Sequence, residues 1–150
     1  MGGDEDIELY KLKGYNKSMQ KTYLELMQVD ELVGRLYAKD AKLRDGKFGY
    51  AWKRFVDKNI APVMSELNDR LMDNKVENAL TDPTTKELLY TADKNFKYSK
   101  EGMKVLLDAN RKLLKEFEGR QIEIKPFYVA DLPELLEEEK ELLKGLIIAE

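Results

Sequence analysis

The chain has 150 residues, 43% of them hydrophobic and 37% charged, a composition that suits a folded body with heavily charged helix surfaces and no need of a cross-link. It contains neither cysteine nor histidine, which excludes disulfides, thiolate catalysis, zinc–sulfur sites and the Ser–His–Asp and Cys–His chemistries. The net charge of −3 gives no general attraction to a phosphate backbone, so nucleic acid is not an expected partner.

Several addresses are also disfavoured. No apolar run approaches the ~20 residues of a membrane span. The start, Met1-Gly2-Gly3-Asp4-Glu5-Asp6, is too acidic for a signal peptide. Myristoylation would need Ser or Thr where Asp6 stands. Together with the missing cysteines, this points to a cytoplasmic protein.

Residues 1–16 read as a flexible tail, because Gly2, Gly3 and Gly14 loosen it and Asp4, Glu5, Asp6 and Glu8 solvate it. Residues 17–150 then read as one helical domain. From Lys17 to Arg44 the pattern is helical: Leu26, Val29, Val33 and Leu36 form one stripe, and Leu32 and Leu43 widen it. Asp45-Gly46 ends the run. A second helix is predicted from Tyr50 to Leu80, with the stripe Trp52, Val56, Ile60, Val63, Leu67 and Leu71. Pro62 lies inside it; proline removes one backbone donor and clashes with the carbonyl four residues back, so a kink or restart is expected near Ala61.

Thr81-Asp82-Pro83-Thr84 breaks the helix. Glu87–Tyr90 and Asn95–Tyr98, joined by Ala92-Asp93-Lys94, read as a β-hairpin. Ser99 is placed to cap a third helix that carries Met103, Leu106, Leu107, Asn110, Leu113, Leu114 and Phe117 and stops at Gly119. Ile122-Glu123-Ile124 alternates as a strand, which Pro126 ends or confines to an edge. A short glutamate-rich helix from Pro133 to Lys144 follows, and Leu146-Ile147-Ile148 reads as a final strand, placed beside Ile122–Ile124. The fold class is α+β, mostly α, with three main amphipathic helices and a small antiparallel sheet from the hairpin and the C-terminal strands.

The candidate chemistries are few. Glu137, Glu138, Glu139 and Glu141 do not make a metal site, because successive helical side chains diverge by about 100° and hard cations need six or more converging oxygens. Asp40, Asp45 and Gly46 miss the spacing of a calcium loop. Gly46-Lys47-Phe48-Gly49 is no phosphate loop. The mixture of Arg35, Lys39, Lys42, Arg44, Lys47, Lys53 and Arg54 with Phe48, Tyr50 and Trp52 could stack on single-stranded nucleic acid, but Asp40, Asp45 and Asp57 interrupt it and Trp52 belongs to the apolar stripe. No residue is assigned to catalysis, to a cofactor or to a metal.

The hairpin Leu88-Leu89-Tyr90-Thr91-Ala92-Asp93-Lys94-Asn95-Phe96-Lys97-Tyr98, the segment Gln121-Ile122-Glu123-Ile124-Lys125-Pro126-Phe127 and the end Leu146-Ile147-Ile148-Ala149-Glu150 resemble a family of small bacteriophage proteins known only as a domain of unknown function. The resemblance spans roughly residues 50–150 and transfers no site residue. It implies a viral protein of the host cytoplasm or the virion. With catalytic groups scarce, the expected function is non-enzymatic protein–protein interaction, as a minor virion, cargo or assembly-associated component. The alternative is a host-takeover or anti-defence protein that binds and inhibits a bacterial enzyme. The partner is then a phage structural protein, a host protein or a second copy of the chain. The second helix is the expected interaction element, because Phe55, Met64, Met72 and Val76 add apolar surface beyond its main stripe.

Overall fold

A computed structural model describes residues 19–129, 134–144 and 146–149, with backbone alone for 127–129 and 147–149. The expected tail therefore lies outside the described residues, as does Pro133. The chain divides into two compact units, one of Met1–Pro62 with Gly119–Glu150 and the other of Val63–Glu118. The fold is mostly helical with a small two-stranded antiparallel sheet, as the sequence implies.

In the first unit, strand β1 (Met19–Thr22) leads directly into helix α1 (Tyr23–Lys39). Thr22 makes the switch: its hydroxyl accepts from the Glu25 N–H at 3.1 Å, and the Glu25 carboxylate accepts from the Thr22 N–H at 3.1 Å. This reciprocal capping satisfies two donors that the first helical turn leaves without partners. Backbone hydrogen bonds to Thr22 are the largest cause holding the Glu25 carboxyl below its usual pKa. The strand was not foreseen, since a helix was expected from Lys17 onward.

The α1 stripe is buried throughout: Leu26, Val29, Leu32, Val33 and Leu36. Each such side chain contributes about 1.5–3 kcal/mol relative to exposure. At Asp40 the backbone turns extended, and its carboxylate caps the short helix α2 (Ala41–Asp45) through the Lys42 N–H at 3.1 Å. The predicted continuous run to Arg44 is thus two helices. Helix α3 (Lys47–Phe55) follows and buries Phe48, Gly49, Trp52 and Phe55. Gly49 is obligatory here: a Cβ on it would fall on the Arg44 carbonyl group, so only glycine lets the two short helices approach.

Pro62 acts as expected, but by widening the helix. Val56–Ile60 form a π-helical turn in which the Ala61 N–H donates to the Val56 carbonyl, five residues back. The extra residue spares the ladder the donor that Pro62 lacks, and helix α4 (Ala61–Asn78) restarts at Ala61.

The remainder of this unit is C-terminal. Strand β2 (Gln121–Ile124) pairs antiparallel with β1, in the register Met19↔Ile124 to Thr22↔Gln121. Strand β3 (Phe127–Val129) pairs with β4 (Ile147–Ala149) in parallel, after helix α6 (Glu137–Leu143). The predicted final strand therefore exists but does not lie beside Ile122–Ile124. A run returning from a helix after β3 arrives parallel to β3, and β2 is already joined to a strand the sequence reading did not contain. Ile124, Leu143 and Leu146 complete the core with Leu43, Phe48 and Ile60.

The second unit holds most of α4, the hairpin region and helix α5 (Lys100–Glu118). Ser99 caps α5 as expected, its hydroxyl accepting from the Gly102 N–H at 2.9 Å. The hairpin pairs by single bridges rather than full strands: Tyr90↔Phe96, and Thr81↔Leu88 on the other side. Its turn places Lys94 at φ 65°, and Lys86 sits at φ 66° in the preceding loop. Asp82 organises that loop by accepting from the Thr84 and Thr85 N–H groups at 2.7 and 2.9 Å, which lowers its pKa. Leu67, Leu106, Leu113 and Phe117 are its buried side chains.

Candidate protein-binding surface

The four side chains proposed from sequence separate. Phe55 lies in the first unit, only 6% exposed and stacked on Trp52 with ring centroids 5.1 Å apart. It is therefore not an exposed interaction residue, although it lines a hollow of the first unit. Met64, Met72 and Val76 lie on α4 within the second unit, and all three are exposed. The physical reason is angular. Leu67 marks the buried side of α4, while Met72 and Val76 lie well round from it at about 100° per residue.

Helices α4 and α5 are tied together by polar contacts. The Asn74 amide donates to the Asn110 carbonyl oxygen at 3.1 Å, and Arg70 pairs with Glu116 at 3.3 Å. The Arg70 guanidinium also lies over the Phe117 ring, 5.4 Å from its centroid. These contacts orient the two helices while leaving apolar side chains outside. Met103, Val105, Leu107 and Leu114 of α5 are exposed. Met103, Leu107 and Leu114 recur at steps of four and seven, so they share one flank of α5 beside the buried Leu106–Leu113–Phe117 stripe.

Of the three on α4, Met72 enters a defined concavity. With Leu106 it lines a hollow of about 480 Å³ whose aromatic side is Tyr90, Phe96 and Tyr98. Tyr90 and Phe96 pack with centroids 5.5 Å apart, held by the cross-turn bridge. Lys75 and Lys94 supply charge at the same hollow. Sequence reasoning did not bring Tyr90, Phe96 and Tyr98 to Met72. The available signal was three aromatics on one hairpin whose alternation leaves them no buried face of their own. For α5 the signal was the doubled pairs Leu106-Leu107 and Leu113-Leu114, more than one buried stripe requires.

The electrostatics are surface electrostatics. Hydrogen bonds from Lys112, then Arg111, are the largest causes holding the Asp108 carboxyl below its usual range, with N···O distances of 3.1 and 2.7 Å. Among the described residues no three carboxylates are placed to hold a metal ion. The glutamates of α6 diverge: Glu137 pairs with Lys140 at 3.4 Å, and Glu139 turns back to accept from the Leu136 N–H at 2.8 Å. Glu139 is thereby buried, not part of a solvated face. Among the described residues no helix is long and apolar enough to cross a membrane. No protein-family model matches this chain, and neither a curated protein nor a solved structure matches it.

Proposed function

We propose that the protein is a non-enzymatic bacteriophage protein that acts by binding another protein, as a minor virion, cargo or assembly-associated component. The phage context rests on the resemblance of residues 50–150. The binding role rests on one observation: Met72, 48% exposed, sits at an aromatic hollow in a unit whose two helices leave further methionines and leucines in water. Exposed apolar side chains gathered at a hollow are a feature of interaction sites. Tyrosine, phenylalanine and methionine are the side chains that interfaces enrich. Lys75 and Lys94 favour an apolar anchor flanked by carboxylates.

Met72→Glu and Val76→Glu test this reading, because both side chains are exposed and neither change disturbs the core. Both variants should melt within about 1 kcal/mol of the parent. Met72→Glu should abolish capture of the partner from infected cells. Mass spectrometry of purified particles then assigns the role: presence in particles supports a virion or cargo component, and absence with capture of one host enzyme supports a takeover inhibitor. Undiminished capture by both variants, with folding intact, would refute the surface.

A further inference from the structure

The first unit carries a second concavity, of about 580 Å³, whose lining is unlike the rest of this acidic chain. Its floor is apolar and fixed: Phe55 and Ile124 are 6% and 2% exposed. Tyr50, 66% exposed, lines the same concavity. Around it stand three cations, Arg54, Lys58 and Lys125, against one carboxylate, Glu123.

The cations are the informative part. The Arg54 guanidinium lies over the Tyr50 ring, 5.9 Å from its centroid. Among the described residues none of the three reaches a carboxylate within ion-pair distance. In a chain with more acids than bases, three cations gathered without partners repel one another, and a bound anion relieves that repulsion. The π-helical turn places Lys58 and Asn59 in the same lining as Arg54 and Phe55, one turn earlier. Pro62 explains why that turn exists; its position in the lining of a pocket is where such turns serve binding.

We propose that this pocket binds a small planar molecule bearing an anionic group, its ring against Tyr50 and the Phe55–Ile124 floor and its charge among Arg54, Lys58 and Lys125. A volume of this size suits a ligand of one or two rings. An exposed tyrosine beside a guanidinium offers a stacking face for a planar ring. The guanidinium offers a two-pronged contact to a phosphate or carboxylate, and the lysines add point charges. Two sources share this chemistry, a nucleoside monophosphate and an aromatic carboxylate. The site is independent of the surface on the second unit.

Titration calorimetry on the full chain tests it, with adenosine monophosphate and benzoate as the two ring-bearing anions and inorganic phosphate and adenosine as controls. One ring-bearing anion should bind about tenfold or more tighter than either control, and the stronger of the two identifies the source. Tyr50→Ala should remove its advantage over inorganic phosphate. Arg54→Gln and Lys125→Gln, both at exposed positions, should each weaken it several-fold while the melting curve stays in place. Binding should also weaken as salt rises. The proposal is overturned if inorganic phosphate binds as tightly as the ring-bearing anion, if neither ring-bearing anion binds at millimolar concentration, or if the folded variants bind like the parent.

Discussion

Trp52 offers the sharpest test of how the first unit is held. It is the sole tryptophan, 3% exposed, and it makes one contact within α3 and one that joins α3 to α1. Its ring stacks on Phe55 at 16° between planes, and its indole N–H donates to the Asp30 carboxylate at 3.1 Å. Truncation to alanine leaves a large cavity and should cost about 3–5 kcal/mol. Trp52→Phe is the more discriminating change, because a ring still faces Phe55 while the donor to Asp30 is gone. Hydrogen bonds to charged groups contribute about 1.5–3 kcal/mol, and the lost ring volume adds to this, so about 2–4 kcal/mol is expected.

A double-mutant cycle with Asp30→Ala isolates the polar contribution, with a coupling of about 1–2 kcal/mol expected. Urea unfolding followed by circular dichroism measures all four proteins on one scale. Tyr23 supplies a separate readout. Burial first, and the Asp30 charge second, raise its phenol above the ordinary value of 10.0. A raised tyrosine pKa means that the folded state holds its proton more tightly. The associated stability is complete below pH 10 and is lost as pH climbs through the folded value. Asp30→Asn should move the phenol back toward its ordinary value while leaving burial in force. A coupling near zero would show that the indole only fills space, and a neutral Trp52→Phe would refute both contributions.

Other consequences are simpler to state. The same substitution should have opposite effects at two glycines: Gly49→Ala meets the Arg44 carbonyl group and should destabilise by several kcal/mol, whereas Gly34→Ala, with open space in α1, should stabilise by about 0.5–1 kcal/mol in thermal melts. Glu25→Gln should weaken the α1 cap by less than about 1 kcal/mol near neutral pH. Because the folded Glu25 pKa is lowered, that difference should hold above the ordinary carboxylate value of 4.5 and vanish as pH falls through the folded one, which paired melts across acid pH would show. Lys94→Gly should raise stability by about 0.5–1 kcal/mol, since only glycine occupies the left-handed region without strain, and urea midpoints would detect it.

The helices were legible because period and capping agree. The α1 stripe is buried residue for residue and Ser99 caps α5, whereas of the stripe predicted from Trp52 to Leu71 only Trp52, Ile60 and Leu67 are buried and Val56, Val63 and Leu71 are half-buried. Strand pairing was not legible, for a physical reason. Ile122–Ile124 and Leu146–Ile148 each announce a strand, but a three- or four-residue apolar segment carries no record of its neighbour. Met19–Thr22, with two polar residues and a lysine, reads as the first turn of a helix unless the Thr22–Glu25 cap is recognised as its true start. That one cap decides both the helix boundary and which strand β2 meets.

The residues proposed for binding divide along the same line. An exposed apolar residue is visible in sequence only as a surplus over what one buried stripe needs, and the surplus residues Met64, Met72 and Val76 are exposed. The surplus argument fails for Phe55, because a wide apolar arc can also be absorbed by neighbours; here Trp52 and the pocket floor absorb it. It fails in the other direction for Tyr90, Phe96 and Tyr98, which the hairpin around Lys94 brings to the same hollow as Met72. A residue's contribution to a hollow depends on elements distant in sequence, so periodicity can nominate one wall but not the wall opposite. Lys94 is therefore a more telling position than its charge suggests. Straining its backbone into φ 65° is what brings Phe96 back across from Tyr90, and a longer or looser turn there would open the aromatic side of the hollow without touching a residue of α4.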